Sequence, residues 1–190
     1  MEERARRIVD AAIELAEKGG FEAVRLRDVA AHAGVALGTV YKRFESKEDI
    51  LVAAIAREAE AMERLLETTT VRGETRQDRA FELFRILTKV LLDKPNFARA
   101  VLRSLATGET AAAERILAYQ ARVARMISAA ISGLKISEAP KEDDPVAFLL
   151  QQVWFANLVG WMGGLHTGEE VVEQMRFSLG LILRDPTDAV

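Results

Sequence analysis

At 190 residues, 49% hydrophobic and 29% charged, the chain can bury the core of one or two compact domains and keep a soluble surface. It has no cysteine and two histidines, His32 and His166. This excludes a disulfide scaffold, a thiol nucleophile, a cysteine-ligated zinc, an iron–sulfur cluster and a multi-histidine metal site within one chain. The net charge of -3 supplies no global basic field. No cofactor is expected, and the lack of cysteine fits a cytoplasmic location.

Apolar residues recur at intervals of three and four along most of the chain, which predicts an all-α fold. Ile8, Ala12, Leu15 and Ala16 form the stripe of a first helix, stopped by Gly19 and Gly20. A short second helix is expected over 26–33, with Leu26, Val29, Ala30 and Ala33 inward and Gly34 as a left-handed end. A third begins near Leu37. Ser46, followed by Lys47, Glu48 and Asp49, reads as the N-cap of a long fourth helix ending near residue 67. Further helices are expected over 77–92, 95–106, 110–132, 144–165 and 169–183, with Pro95 and Pro145 in first turns. The functional boundary is placed near residue 50, giving regions 1–49 and 50–190.

The first 18 residues interleave arginines with acidic residues, and no uncharged run follows, so no secretory signal is expected. Residues 145–168 carry no formal charge and could span a bilayer by length. Gln151, Gln152 and Asn157 near the centre, three glycines and acidic flanks argue instead for a helix buried in protein, with no membrane partner.

Residues 25–47, RLRDVAAHAGVALGTVYKRFESK, have the layout of a helix-turn-helix, whose second helix enters the major groove. At 100° per residue, Leu37, Val40 and Phe44 share a side and are expected to pack inward. Gly38, Thr39 and Lys42 point the other way, with Tyr41 and Arg43 on the flanks. That outer face is small, hydroxyl-bearing and cationic, as base and phosphate contacts require. The stretch holds five basic groups against two acidic ones, inside an acidic chain.

The amphipathic first helix followed by GGFEAVRLRDVAAHAGVALGTVYKRFESKEDIL resembles the TetR family of bacterial transcriptional regulators, over about a quarter of the chain. Arg25 and Ala36 stand where that family often has a Thr or Ser cap. The resemblance implies an N-terminal three-helix DNA-binding domain and a C-terminal helical domain for ligand binding and dimerisation. It implies that Arg27 lies near the DNA backbone, that Thr39, Tyr41 and Lys42 contact DNA from the reading helix, and that Lys47 holds a phosphate. With Leu37 and Gly38, these make the candidate DNA-binding set. The implied partners are a double-stranded, near-palindromic operator bound by a homodimer, and a small-molecule effector. VALGTVYKRF together with QQVWFANLVGW resembles the branch that represses sterol catabolism in actinobacteria, which implies a coenzyme-A thioester as effector.

In the helix from residue 144, Phe148, Gln152, Phe155, Val159 and Met162 form one apolar face. Leu150, Trp154, Leu158, Trp161 and Leu165 form another. One face can be covered by a second chain, or both by a monomer's own core. Trp161, Leu165, Met175, Leu179 and Ile182 are the candidate dimer contacts. Phe84, Thr88, Leu91, Leu102, Leu105, Met126, Gln152 and Phe155 are the candidate lining of an apolar ligand site, the alternative being a filled core. No GxSxG, HExxH or phosphate-loop pattern occurs, so an enzyme is not expected. A helical ligand carrier or adaptor without DNA binding is the competing reading; the intact outer face of the reading helix argues against it.

Overall fold

The computed structural model describes residues 2–107, 112–139 and 144–184. Among these the elements are α1 (Glu2–Ala23), α2 (Leu26–Ala33), α3 (Leu37–Tyr41), α4 (Lys47–Thr68), α5 (Arg76–Leu92), α6 (Pro95–Thr107), α7 (Ala113–Ser132), α8 (Pro145–Met162) and α9 (Gly168–Ile182). The expected all-α class is found, and no strand occurs among the described residues. The expected start of the seventh helix at Thr110, and Glu142 and Asp143 of the acidic flank, lie outside the described residues. None of the described helices is long and apolar enough to cross a membrane.

The chain divides into two compact units. The first is Met1–Glu60 with Asp93–Gln120; the second is Ala61–Leu92 with Ala121–Val190. The unit holding the first three helices therefore extends past residue 49 and takes in α6 and the start of α7. The backbones of α4 and α7 each pass from one unit to the other.

In the first unit, α1 is helical to Lys18 and breaks at Gly19 and Gly20, where Gly20 has φ 67°. Its buried stripe of Ile8, Ala12 and Ala16 faces the core, with Leu15 half-buried. α6 packs on α1 and buries Phe97, Ala98, Val101 and Leu102; at its N-terminus the Glu17 carboxylate accepts the Phe97 N–H at 3.0 Å, while Asn96 Nδ2 donates to the Glu17 carbonyl at 2.9 Å. α2 buries Val29, Ala30 and Ala33 and ends at Gly34 in the left-handed region, φ 63° and ψ 41°. Neither Arg25 nor Ala36 makes a side-chain cap, as their chemistry dictates. Ser46 Oγ does cap α4, accepting the Asp49 N–H at 3.0 Å.

In the second unit, Phe84, Leu83, Met126, Ile127, Leu150, Leu158, Met175 and Leu179 are fully buried. Helix ends are held by charged side chains reaching across the unit. Arg79 of α5 donates through Nε to the Ala130 carbonyl at 3.0 Å and through Nη2 to the Ile131 carbonyl at 2.9 Å. Both carbonyls lie in the last turn of α7, where helical partners run out, and the Ala130 carbonyl also accepts the Gly133 N–H at 3.2 Å. Asp144 caps α8 from Val146 and Ala147, with Pro145 in the first turn. Thr167 and Glu170 form a reciprocal capping box on α9. The His166 ring packs over Gly160, where a Cβ would run into it, and its Nδ1 lies 3.5 Å from Gln174 Nε2.

Replacing Arg79 by Ala removes the side-chain donor to the Ile131 carbonyl and one of the two donors to the Ala130 carbonyl. Urea denaturation is expected to show a loss of about 1–3 kcal/mol with native helix content retained; a loss below 0.3 kcal/mol would mean that solvent replaces the guanidinium at no cost.

Candidate nucleic-acid and ligand sites

The third helix, α3, is five residues long, so its conformation is imposed from outside. Val40 is fully buried and Phe44, in the turn just after the helix, is 4% exposed; together they anchor it to the first unit. Leu37 departs from the expectation of inward packing. As the first helical residue it projects past the edge of that contact and is 37% exposed. The helix is also shorter than two turns: Lys42 is its C-cap, and its N–H donates to the Gly38 carbonyl at 3.2 Å.

The opposite face is open. Tyr41 and Lys42 are exposed, Thr39 is half-buried, and Arg27 is exposed on α2 with Nε 3.9 Å from Asp28. Gly38 is helical, and a Cβ built on it meets nothing within 4 Å. Nothing within the chain requires glycine there. His32, at the flank of α2, is exposed and lies 2.8 Å from Glu14 Oε2.

Lys47 is engaged within the chain. Its Nζ is 3.3 Å from Glu22 Oε2 and 3.8 Å above the Phe21 ring, and its side chain is only 26% exposed. Arg103 of α6 stacks on Phe21 at 4.1 Å and bonds the same Glu22 at 3.0 Å. The hydrogen bond and charge of Lys47, joined by Arg103, hold the Glu22 carboxyl below its ordinary value. A phosphate contact by Lys47 therefore competes with Glu22.

The candidate ligand residues separate. Phe84, Thr88, Leu91 and Met126 are buried in the second unit, with Gln152 and Phe155 half-buried there. Leu102, buried, and Leu105, half-buried, belong to the first unit. Trp154 joins the second-unit group: its ring tilts 55° against Phe84 at 5.8 Å, and its Nε1 donates to Thr88 Oγ1 at 2.9 Å. The buried amide is Gln151, adjacent to the expected Gln152; it is 5% exposed and its Oε1 has no partner. Sequence reasoning missed it because both glutamines sit in one uncharged run, and only packing decides which turns inward.

The candidate dimer residues divide. Trp161, Met175 and Leu179 are buried within the single chain, in its second unit. Leu165 is 77% exposed and Ile182 half-buried. Phe148, Leu149, Phe177 and Leu181 are exposed on α8 and α9, Phe177 to 70%. Of the two apolar faces of α8, the one carrying Leu150, Trp154, Leu158 and Trp161 is covered by its own chain, while on the other Phe148 stands exposed.

The model of the family "Bacterial regulatory proteins, tetR family" matches residues 8–54, and that of "Tetracyclin repressor-like, C-terminal domain" matches residues 73–182. The chain is 32% identical to the HTH-type transcriptional repressor KstR of Rhodococcus jostii (strain RHA1) over 184 residues, 96% of this chain and 84% of that protein. Among solved structures, a TetR transcriptional regulator from Rhodococcus sp. RHA1 matches with a TM-score of 0.84 and 26% identity over 97% of this chain and 98% of its own. The Thermus thermophilus FadR repressor, solved with lauroyl-CoA, shares the fold at a TM-score of 0.73 and 19% identity over 96% and 97%.

The inside and outside of α3 can be tested by stability alone. Val40→Ala is expected to cost about 2 kcal/mol, because it empties a fully buried position. Gly38→Ala is expected to leave stability unchanged or raise it by about 0.5–1 kcal/mol, because helical glycine carries an entropy cost. Denaturant unfolding of both variants decides, and the reverse order would contradict the assignment of faces.

Proposed function

Since the chain belongs to the TetR family of bacterial regulatory proteins, we propose that it is a repressor that binds a near-palindromic operator as a homodimer and is released by a lipid-like coenzyme-A thioester. Residues 1–49 carry the DNA contacts, and 50–190 carry effector binding and dimerisation. The observation that carries the reading is the outer face of α3. Thr39, Tyr41 and Lys42 flank a glycine that nothing in the protein needs. A bare backbone at Gly38 lets the helix approach the DNA closely, and Thr39 is then in reach of a base edge. Arg27 and Lys42 neutralise phosphates, and Lys47 does so by exchanging Glu22 for a phosphate oxygen. Leu37, exposed beside them, adds apolar contact in the groove.

Phe148, Leu149, Leu165, Phe177, Leu181 and Ile182 would form the dimer contact on α8, the turn after it and α9. All but the half-buried Ile182 are large apolar side chains that one chain leaves exposed. The effector would occupy the second unit beside Phe84, Thr88, Leu91, Met126 and Phe155. Gln151 Oε1 and the Thr88 hydroxyl are its polar anchors, since an unpartnered buried amide oxygen gains most from a donor. The lauroyl-CoA held by the Thermus FadR and the kinship to KstR repressors support an acyl or sterol thioester.

Fluorescence anisotropy on DNA from the protein's own upstream region tests the reading. Thr39→Ala is expected to relax preference at one or two base pairs, and Gly38→Ala to weaken binding while the fold is intact. Lys47→Ala is expected to weaken all sequences alike and lower the salt slope by about one. Lauroyl-CoA or a steroid-acid CoA thioester is expected to weaken operator binding about 5- to 150-fold. If no thioester shifts affinity, the effector part fails while DNA binding stands; if Thr39→Ala and Lys47→Ala behave alike, the roles are wrong.

A further inference from the structure

Arg115 lies in the first turn of α7 and reaches back to the turn that follows the reading helix. Its Nε donates to Asp49 Oδ1 at 2.6 Å and its Nη2 to the Arg43 carbonyl at 3.2 Å, while its guanidinium carbon sits 5.2 Å from the centre of the Phe44 ring. Asp49 is 3% exposed. Its second carboxylate oxygen accepts the Glu45 N–H at 3.2 Å, and its own N–H is bonded to Ser46 Oγ. One buried carboxylate thus closes residues 43–46 from below, and one guanidinium both neutralises it and holds the same turn from above. A buried carboxylate left without its cation is costly, so the two act as a pair. The turn they fix is continuous with α3, which is too short to hold its own geometry.

We propose that Arg115 is a positioning residue for DNA reading: it sets the orientation of Thr39, Tyr41 and Lys42 without itself touching DNA. The DNA-reading role of these residues rests on the proposed function. The fork geometry matters: a lysine can pair with Asp49 but cannot also reach the Arg43 carbonyl in a fixed plane.

The test uses the full chain with Arg115→Gln and Arg115→Lys. Hydrogen exchange without DNA is read at the amides of residues 43–49, with those of 8–16 as internal reference. Arg115→Gln is expected to speed exchange at Glu45 and its neighbours about tenfold and leave 8–16 unchanged, with Arg115→Lys in between. Operator affinity is expected to fall about tenfold at an unchanged salt slope. Unchanged exchange at 43–49 overturns the proposal. So does a salt slope lowered by one, which would make Arg115 a phosphate contact. If the parent protein binds no operator, the proposed function fails, and the exchange data still decide whether Arg115 holds the turn.

Discussion

A five-residue helix cannot stand in water. Much of the first unit's packing serves to hold α3, because nothing within α3 keeps it helical. Val40 and Phe44 bury its inner side, and Gly34 ends α2 sharply enough to bring α3 across it. The Ser46 cap starts α4 at once, and Asp49, one turn into α4, reaches back to the Glu45 amide. The outer side is thereby free of structural duty, which is why it can be small and polar.

The same constraint explains why the compact unit is larger than the first three helices. α6 is tied to α1 through Glu17, and its Arg103 shares Glu22 and the Phe21 face with Lys47. α7 contributes Arg115 to the turn after α3. Cations from two distant parts of the sequence thus brace the head through carboxylates, Glu22 and Asp49, that it supplies. This arrangement leaves Arg27, Tyr41 and Lys42 exposed and commits Lys47 to an internal partner, Glu22.

Most of this fold was legible because local chemistry dictates it. Gly19 and Gly20 stop α1, Gly34 adopts the left-handed end, and Ser46 and Pro145 mark helix starts, each within a residue or two of its expected place. What local chemistry does not carry was not legible. α8 is apolar on two faces, and periodicity cannot say which one the chain covers itself. Trp161, Met175 and Leu179 were therefore expected at a partner and are found in the core. Leu37 follows the inward stripe in number but sits at the helix edge. The Asp49–Arg115 pair spans 66 positions, and neither residue has a neighbour in sequence that announces the other. Gln151 and Gln152 are chemically identical, and only the packing of α8 separates the buried amide from the half-buried one.

The central claim is that two copies of this small outward face read one duplex. DNA footprinting on the region upstream of the protein's own gene tests it most directly. The account predicts two equivalent protected stretches about one helical turn apart, or a multiple of it, on one face of the duplex, related by a dyad in the sequence. Protection of a single stretch with no dyad, at protein concentrations that saturate it, would contradict it.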